Sequence, residues 1–108
     1  MLRTIKIGDA EVKMMTNAAS PYRYKQIFRE DMLPKILGEP TDAEATGIFM
    51  KLGFVYAKQA EGADLSALTE DDYIKWLEQF EFMDYLSAAT EIGALYTASA
   101  KGTVTPKK

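Results

Sequence analysis

The chain has 108 residues, 47% of them apolar and 27% charged, with a net charge of −3, the proportions of a single globular domain rather than a disordered segment. Cysteine and histidine are both absent, which excludes disulfides, thiolate or Ser-His-Asp catalysis and zinc sites built on Cys and His. An enzyme here would have to rely on carboxylates, lysine, tyrosine or a cofactor, and the expectation is a protein that is no enzyme and needs no cofactor or metal. No apolar run reaches the roughly 20 residues of a membrane-spanning helix, and Met1-Leu2-Arg3-Thr4-Ile5-Lys6 lacks the apolar stretch of a signal peptide. A cytoplasmic protein without a membrane partner is therefore expected.

The charge is unevenly spread. Residues 1–58 carry nine Lys/Arg against seven Asp/Glu, whereas residues 61–91 carry nine Asp/Glu and only Lys75. An acidic body repels phosphates, and no basic stripe with interleaved aromatics is visible, so nucleic acid is not an expected partner.

Two short alternating runs, Arg3–Ile7 and Glu11–Met15, flank Gly8-Asp9 and predict a β-hairpin over 3–15. An isolated hairpin is marginal in water, so this one must pack on helices or on another chain. Ser20-Pro21 suits a helix start, with Ser20 as the cap. That helix has Tyr22, Tyr24, Ile27 and Phe28 against a polar side of Arg23, Lys25, Gln26 and Arg29. Pro34 either interrupts it or opens a second short helix through Leu33, Ile36 and Leu37, closed by Gly38-Glu39-Pro40.

Thr41 with Glu44 fits a capping box. Ala45, Ile48, Phe49, Leu52, Val55 and Tyr56 then recur at helical spacing up to Gly62. Met50, Phe54 and Ala57 form a second apolar face, so this helix is either the centre of the domain or partly an interface. After a short turn at Leu65–Leu68, Thr69 caps a helix through Tyr73, Ile74, Trp76, Leu77 and Phe80, and a break is expected near Glu81–Asp84. A last helix has Tyr85, Ala88, Ala89, Ile92, Leu95 and Tyr96 on one stripe, and residues 101–108 lack a pattern and predict a mobile tail. The expected fold is mainly α: one domain over 1–100, a bundle of four to five helices with an N-terminal β-hairpin.

Candidate chemistry is sparse. Glu70-Asp71-Asp72 is better read as dipole compensation at a helix start than as a metal site, because the ligand pattern of an EF-hand is missing. Glu78, Glu81 and Asp84 would share a helical face only if the helix were continuous, and a solvated face is the expected role. The candidate protein-binding residues are Met14, Met15, Tyr22, Arg23, Met50 and Phe54. Adjacent Met14 and Met15 face opposite sides of a strand, Tyr and Arg are common hot-spot residues, and Met50 and Phe54 lie on the second apolar face of the central helix.

The hairpin, the small-residue linker Thr16-Asn17-Ala18-Ala19 and the segment Tyr22-Arg23 through Phe28 to Asp31 resemble the tail assembly chaperones of long-tailed bacteriophages and prophages of Gram-positive bacteria. Asp72-Tyr73-Ile74-Lys75-Trp76-Leu77-Glu78-Gln79-Phe80 is similar to that family's helix built around a Trp-Leu pair, and the resemblance spans roughly residues 4–97. Arg29 departs from the pattern, which has a small residue, often glycine, after the phenylalanine. The resemblance implies a protein that coats the long, apolar, helical tape measure protein and keeps it soluble until tail tube subunits polymerise around it. It implies self-association along that client, contact with the tail tube protein as a further possibility, and no catalytic residues. The competing expectation is a small helical adaptor or anti-host protein that binds one folded bacterial partner.

Overall fold

The structure, a computed structural model, describes the backbone of residues 1–104 and the side chains of residues 1–100. Strands β1 (Leu2–Ile7) and β2 (Ala10–Met15) pair antiparallel, with Ile5 opposite Val12 and Arg3 opposite Met14. The two-residue turn places positive φ on Gly8 alone, as in a type II′ turn, where glycine is favoured at the first position. Five helices follow: α1 (Ser20–Phe28), α2 (Met32–Leu37), α3 (Asp42–Glu61), α4 (Glu70–Leu77) and α5 (Phe82–Val104), with a 3-10 turn at Leu65–Ala67 before α4. The fold is the mainly α bundle with an N-terminal hairpin expected from the sequence. No helix of the described residues is long and apolar enough to cross a membrane. The expected tail over 101–108 falls partly on α5, which runs to Val104, and residues 105–108 lie outside the described residues.

α3 is central because it has apolar side chains almost all round, and the fold covers nearly all of them. β2, α1, α2, α4 and α5 all pack on it. The hairpin lies across the α3–α5 pair, β2 against α3 and β1 against α5, and turns Ile5, Ile7 and Met14 inward. α3 and α5 approach closely where side chains are missing. A Cβ on Gly53 would collide with the Tyr85 hydroxyl and lie 2.6 Å from Ile92 Cδ1, and one on Gly93 would lie 2.8 Å from the Phe49 ring. The Tyr85 hydroxyl uses the gap to donate to the Met50 carbonyl at 2.5 Å.

The second apolar face of α3 is not an interface. Phe54 meets Tyr73 and Trp76, each at 5.5 Å between ring centroids, and Phe28 at 6.4 Å. Trp76 continues the ring contacts to Phe80 at 5.1 Å and Tyr85 at 5.4 Å. Edge and tilted ring pairs of this kind add about 0.5–1.5 kcal/mol each beyond burial.

Local signals account for most helix ends. Thr41 and Glu44 form the expected capping box, Thr69 and Asp72 form another, and Gly62 ends α3 at φ 74°. Ser20 is not a cap: the chain enters α1 through Ala19 in a helical conformation. Ser20 Oγ instead accepts from the Asn17 backbone N–H at 3.1 Å and donates to Gln59 Oε1 at 2.7 Å. α2 starts at Met32, with Pro34 still in its first turn, where the missing N–H costs no helical bond. The break between α4 and α5 spans 78–81, slightly before the expected place, so residues 70–98 form two helices.

Candidate functional site

An open groove of about 810 Å³ lies at the end of the bundle where α5 finishes. Met1 and the linker Thr16–Ala18 form one side, Pro21, Tyr22 and Lys25 of α1 another. Asp31 to Leu33 at the start of α2 face them, with Leu52 and Tyr56 of α3 and Tyr96, Ser99 and Ala100 of α5 completing the lining. Most of this lining is apolar, and Tyr22 stands 74% exposed beside it.

The walls are held by contacts between segments far apart in sequence. Met1 and Thr16 exchange two bonds and lengthen the hairpin ladder by one pair: the Met1 amine donates to the Thr16 carbonyl at 2.9 Å and the Thr16 N–H to the Met1 carbonyl at 2.8 Å. The linker is pinned to α3 by one side chain. Gln59 Nε2 donates to Asn17 Oδ1 at 2.9 Å while Gln59 Oε1 accepts from Ser20. On the rim, Lys25 Nζ lies 3.5 Å from Asp31, both well exposed.

Behind α1, the turn into α2 is fixed by Glu30. Its carboxylate accepts from the Tyr24 hydroxyl at 2.6 Å, from Lys35 at 3.0 Å and from Lys51 at 3.2 Å. Partial burial pushes the Glu30 carboxyl up, but the hydrogen bonds from Tyr24, Lys35 and Lys51, with the Lys51 charge, outweigh it and hold it at about 2. Burial, then the bond to Glu30, pushes the Tyr24 hydroxyl well above its ordinary value, so it remains a donor. Lys51 also lies 5.3 Å from the centre of the Phe28 ring, a cation–π contact.

The six candidate residues separate cleanly. Met14 and Phe54 are 0% exposed and belong to the core, so neither can meet a partner. Met14 faces inward because the register sets it across from Arg3 on the face shared by Ile5 and Ile7. Met15 is half-buried on the other face, opposite the exposed Leu2. Met50 is half-buried and packs against the core. Arg23 is half-buried and donates to Gln26 Oε1 at 2.8 Å. Only Tyr22 lies on the groove.

Sequence reasoning missed Met1, Leu33, Tyr56 and Tyr96 as groove residues, and Gln59 as the side chain that fixes a wall. No local pattern could join them. The acidic groups stay apart. Glu78 and Glu81 fall in the connector while Asp84 is in α5, and Asp72 is the partner in the Thr69 capping box. Among the described residues no group of three or more carboxylates is placed to hold a metal ion.

The chain matches no protein family model, no curated protein and no solved structure. The groove and its chemistry therefore carry the functional argument.

Proposed function

We propose that this chain is a tail assembly chaperone of the kind its sequence resembles, binding apolar helical stretches of a tape measure protein and holding them soluble. The observation that supports this reading is the open, mainly apolar groove of about 810 Å³ flanked by the exposed Met1, Tyr22 and Leu33. Grooves of this chemistry take one face of an amphipathic helix, anchored by side chains at i, i+3 or i+4 and i+7. One such contact is weak, and several copies along one client supply the hold through avidity. Copies have a second apolar surface for meeting one another: Phe82 and Met83 are exposed at the start of α5, far along that helix from the groove.

Co-expression with the tape measure protein of the same phage or prophage tests the reading. The expected outcome is a soluble complex containing several copies of this chain per client. A client equally insoluble with and without the chain would overturn it. A stoichiometric complex with one folded bacterial protein, and none with the helical client, would favour the adaptor instead.

A further inference from the structure

We infer that copies of this chain join head to tail, with the start of α5 of one copy seated on the outer face of the hairpin of the next. The inference rests on the client-holding reading above for the use of such a row, while the contact itself needs no client. At the start of α5, Phe82 and Met83 stand 66% and 64% exposed. The exposed Glu78, Glu81 and Asp84 flank them in sequence, and residues 76–100 contain no lysine or arginine. The preceding cation, Lys75, is paired with Asp71 at 3.7 Å. The hairpin has the opposite character at its open end. Leu2, 59% exposed, faces the half-buried Met15 across the strands. Thr4 stands opposite Lys13 on the same outer face, and Arg3 is exposed beside them. Residues 1–8 and 12–29 contain no aspartate or glutamate. Among the described residues, none of Arg3, Lys13, Glu78, Glu81 and Asp84 forms an ion pair.

The two patches lie at opposite ends of α5. Asp84 sits against the hairpin turn, where a Cβ on Gly8 would come within 2.6 Å of its carboxylate. Met1 and the linker border the groove where α5 finishes. The hairpin therefore runs along α5, and roughly 25 Å of helix separates Phe82 from the open end of the hairpin. One chain cannot bring its own two patches together, so each is left for another copy. Two acid-rimmed patches repel, and so do two base-rimmed ones, which disfavours a two-fold contact of either patch with itself. Phe82 and Met83 within their acidic rim match Leu2 and Met15 within their basic rim in both charge and apolarity. A contact between unlike patches leaves one of each kind free at the ends. It therefore passes the dimer and grows into open rows unless its rotation closes a ring. A row repeats the groove along a long client, which is the arrangement that avidity needs.

The test is sedimentation velocity of the full chain without client. The mean mass is expected to pass that of a dimer as concentration rises, and association to weaken about tenfold or more between about 0.05 and 0.5 M salt. The Arg3→Glu, Lys13→Glu variant and the Phe82→Ser, Met83→Ser variant, each checked for folding by circular dichroism, are expected to be monomeric alone. Mixed, they should form a one-to-one dimer and nothing larger, because the first keeps its α5 patch and the second its hairpin. Adding Glu78→Lys and Glu81→Lys to the hairpin variant should restore assembly. A wild-type chain that stays monomeric, a hairpin variant that still associates by itself, a mixture that does not pair, or reversed charges that restore nothing would overturn the inference. A monomeric chain that still solubilises its client would leave the client-holding reading standing. Assembly without solubilisation would overturn that reading and leave the head-to-tail contact standing.

Discussion

At the scale of single residues, the backbone of Arg29 is the least comfortable feature of α1. It ends the helix in the left-handed region, at φ 60° and ψ 32°, while its N–H still bonds the Lys25 carbonyl. An L-residue with a Cβ pays about 1–2 kcal/mol there, and glycine does not. Arg29 is also the position at which the sequence departs from the glycine common in the family it resembles. Arg29→Gly is therefore expected to stabilise the protein by about 1 kcal/mol, read as a higher urea midpoint at unchanged slope. The next residue, Glu30, makes folding sensitive to acid. Its carboxyl is held at about 2 in the folded chain against an ordinary 4.5. The unfolded chain binds the proton first, so this stabilisation is complete above pH 4.5 and is lost as pH falls from there toward 2. Glu30→Gln should flatten the stability profile across that window while lowering stability at pH 7. An unchanged acid limb in urea titrations would show that other carboxylates set it.

At the scale of elements, the α3–α5 contact decides what a glycine does. Gly47 and Gly53 lie on the same helix, and helix propensity favours alanine at both by up to about 1 kcal/mol. A Cβ at Gly47 meets nothing within 4 Å, whereas at Gly53 it would run into Tyr85 and Ile92 of α5. Gly47→Ala should therefore raise the urea midpoint, and Gly53→Ala should lower stability by about 1–3 kcal/mol through overpacking. Equal effects at the two positions would mean that the helices can slide apart at little cost. The same contact shows what was legible in the sequence. Period, capping boxes and Gly62 are local signals, and they located α3 and α4 well. The cover over Phe54 is not local: it comes from Phe28, Tyr73 and Trp76 on two other helices. A helix apolar on two faces reads alike whether the second face meets a partner or its own chain, and here its own chain covers it. Met14 differs. The two-residue turn and the pairing of Ile5 with Val12 put it on the inward face, so the register itself contained that answer. The groove was legible only at Tyr22, since its walls come from Met1, the linker and four helices.

At the scale of the whole molecule, the proposed function assigns stability and binding to different residues, and that division can be measured. The core holds Phe54 and Met14 at 0% exposure, while Tyr22 and Leu33 stand 74% and 42% exposed at the groove. Truncating a buried phenylalanine removes its transfer energy and leaves a cavity, so Phe54→Ala is expected to cost about 3–5 kcal/mol. The exposed pair has little burial to lose. Tyr22→Ser and Leu33→Ser should each change stability by no more than about 0.5 kcal/mol. Client solubilisation should respond in the opposite order. The Tyr22→Ser, Leu33→Ser double variant is expected to remain folded by circular dichroism yet lose the ability to keep a co-expressed tape measure protein in the soluble fraction. Phe54→Ala, assayed at a temperature where it is still folded, should retain it. The outcome that would sink this division is full solubilisation by the groove double variant together with its loss on Phe82→Ser, Met83→Ser. The client surface would then lie at the opposite end of α5, and the groove would be left to contacts between copies.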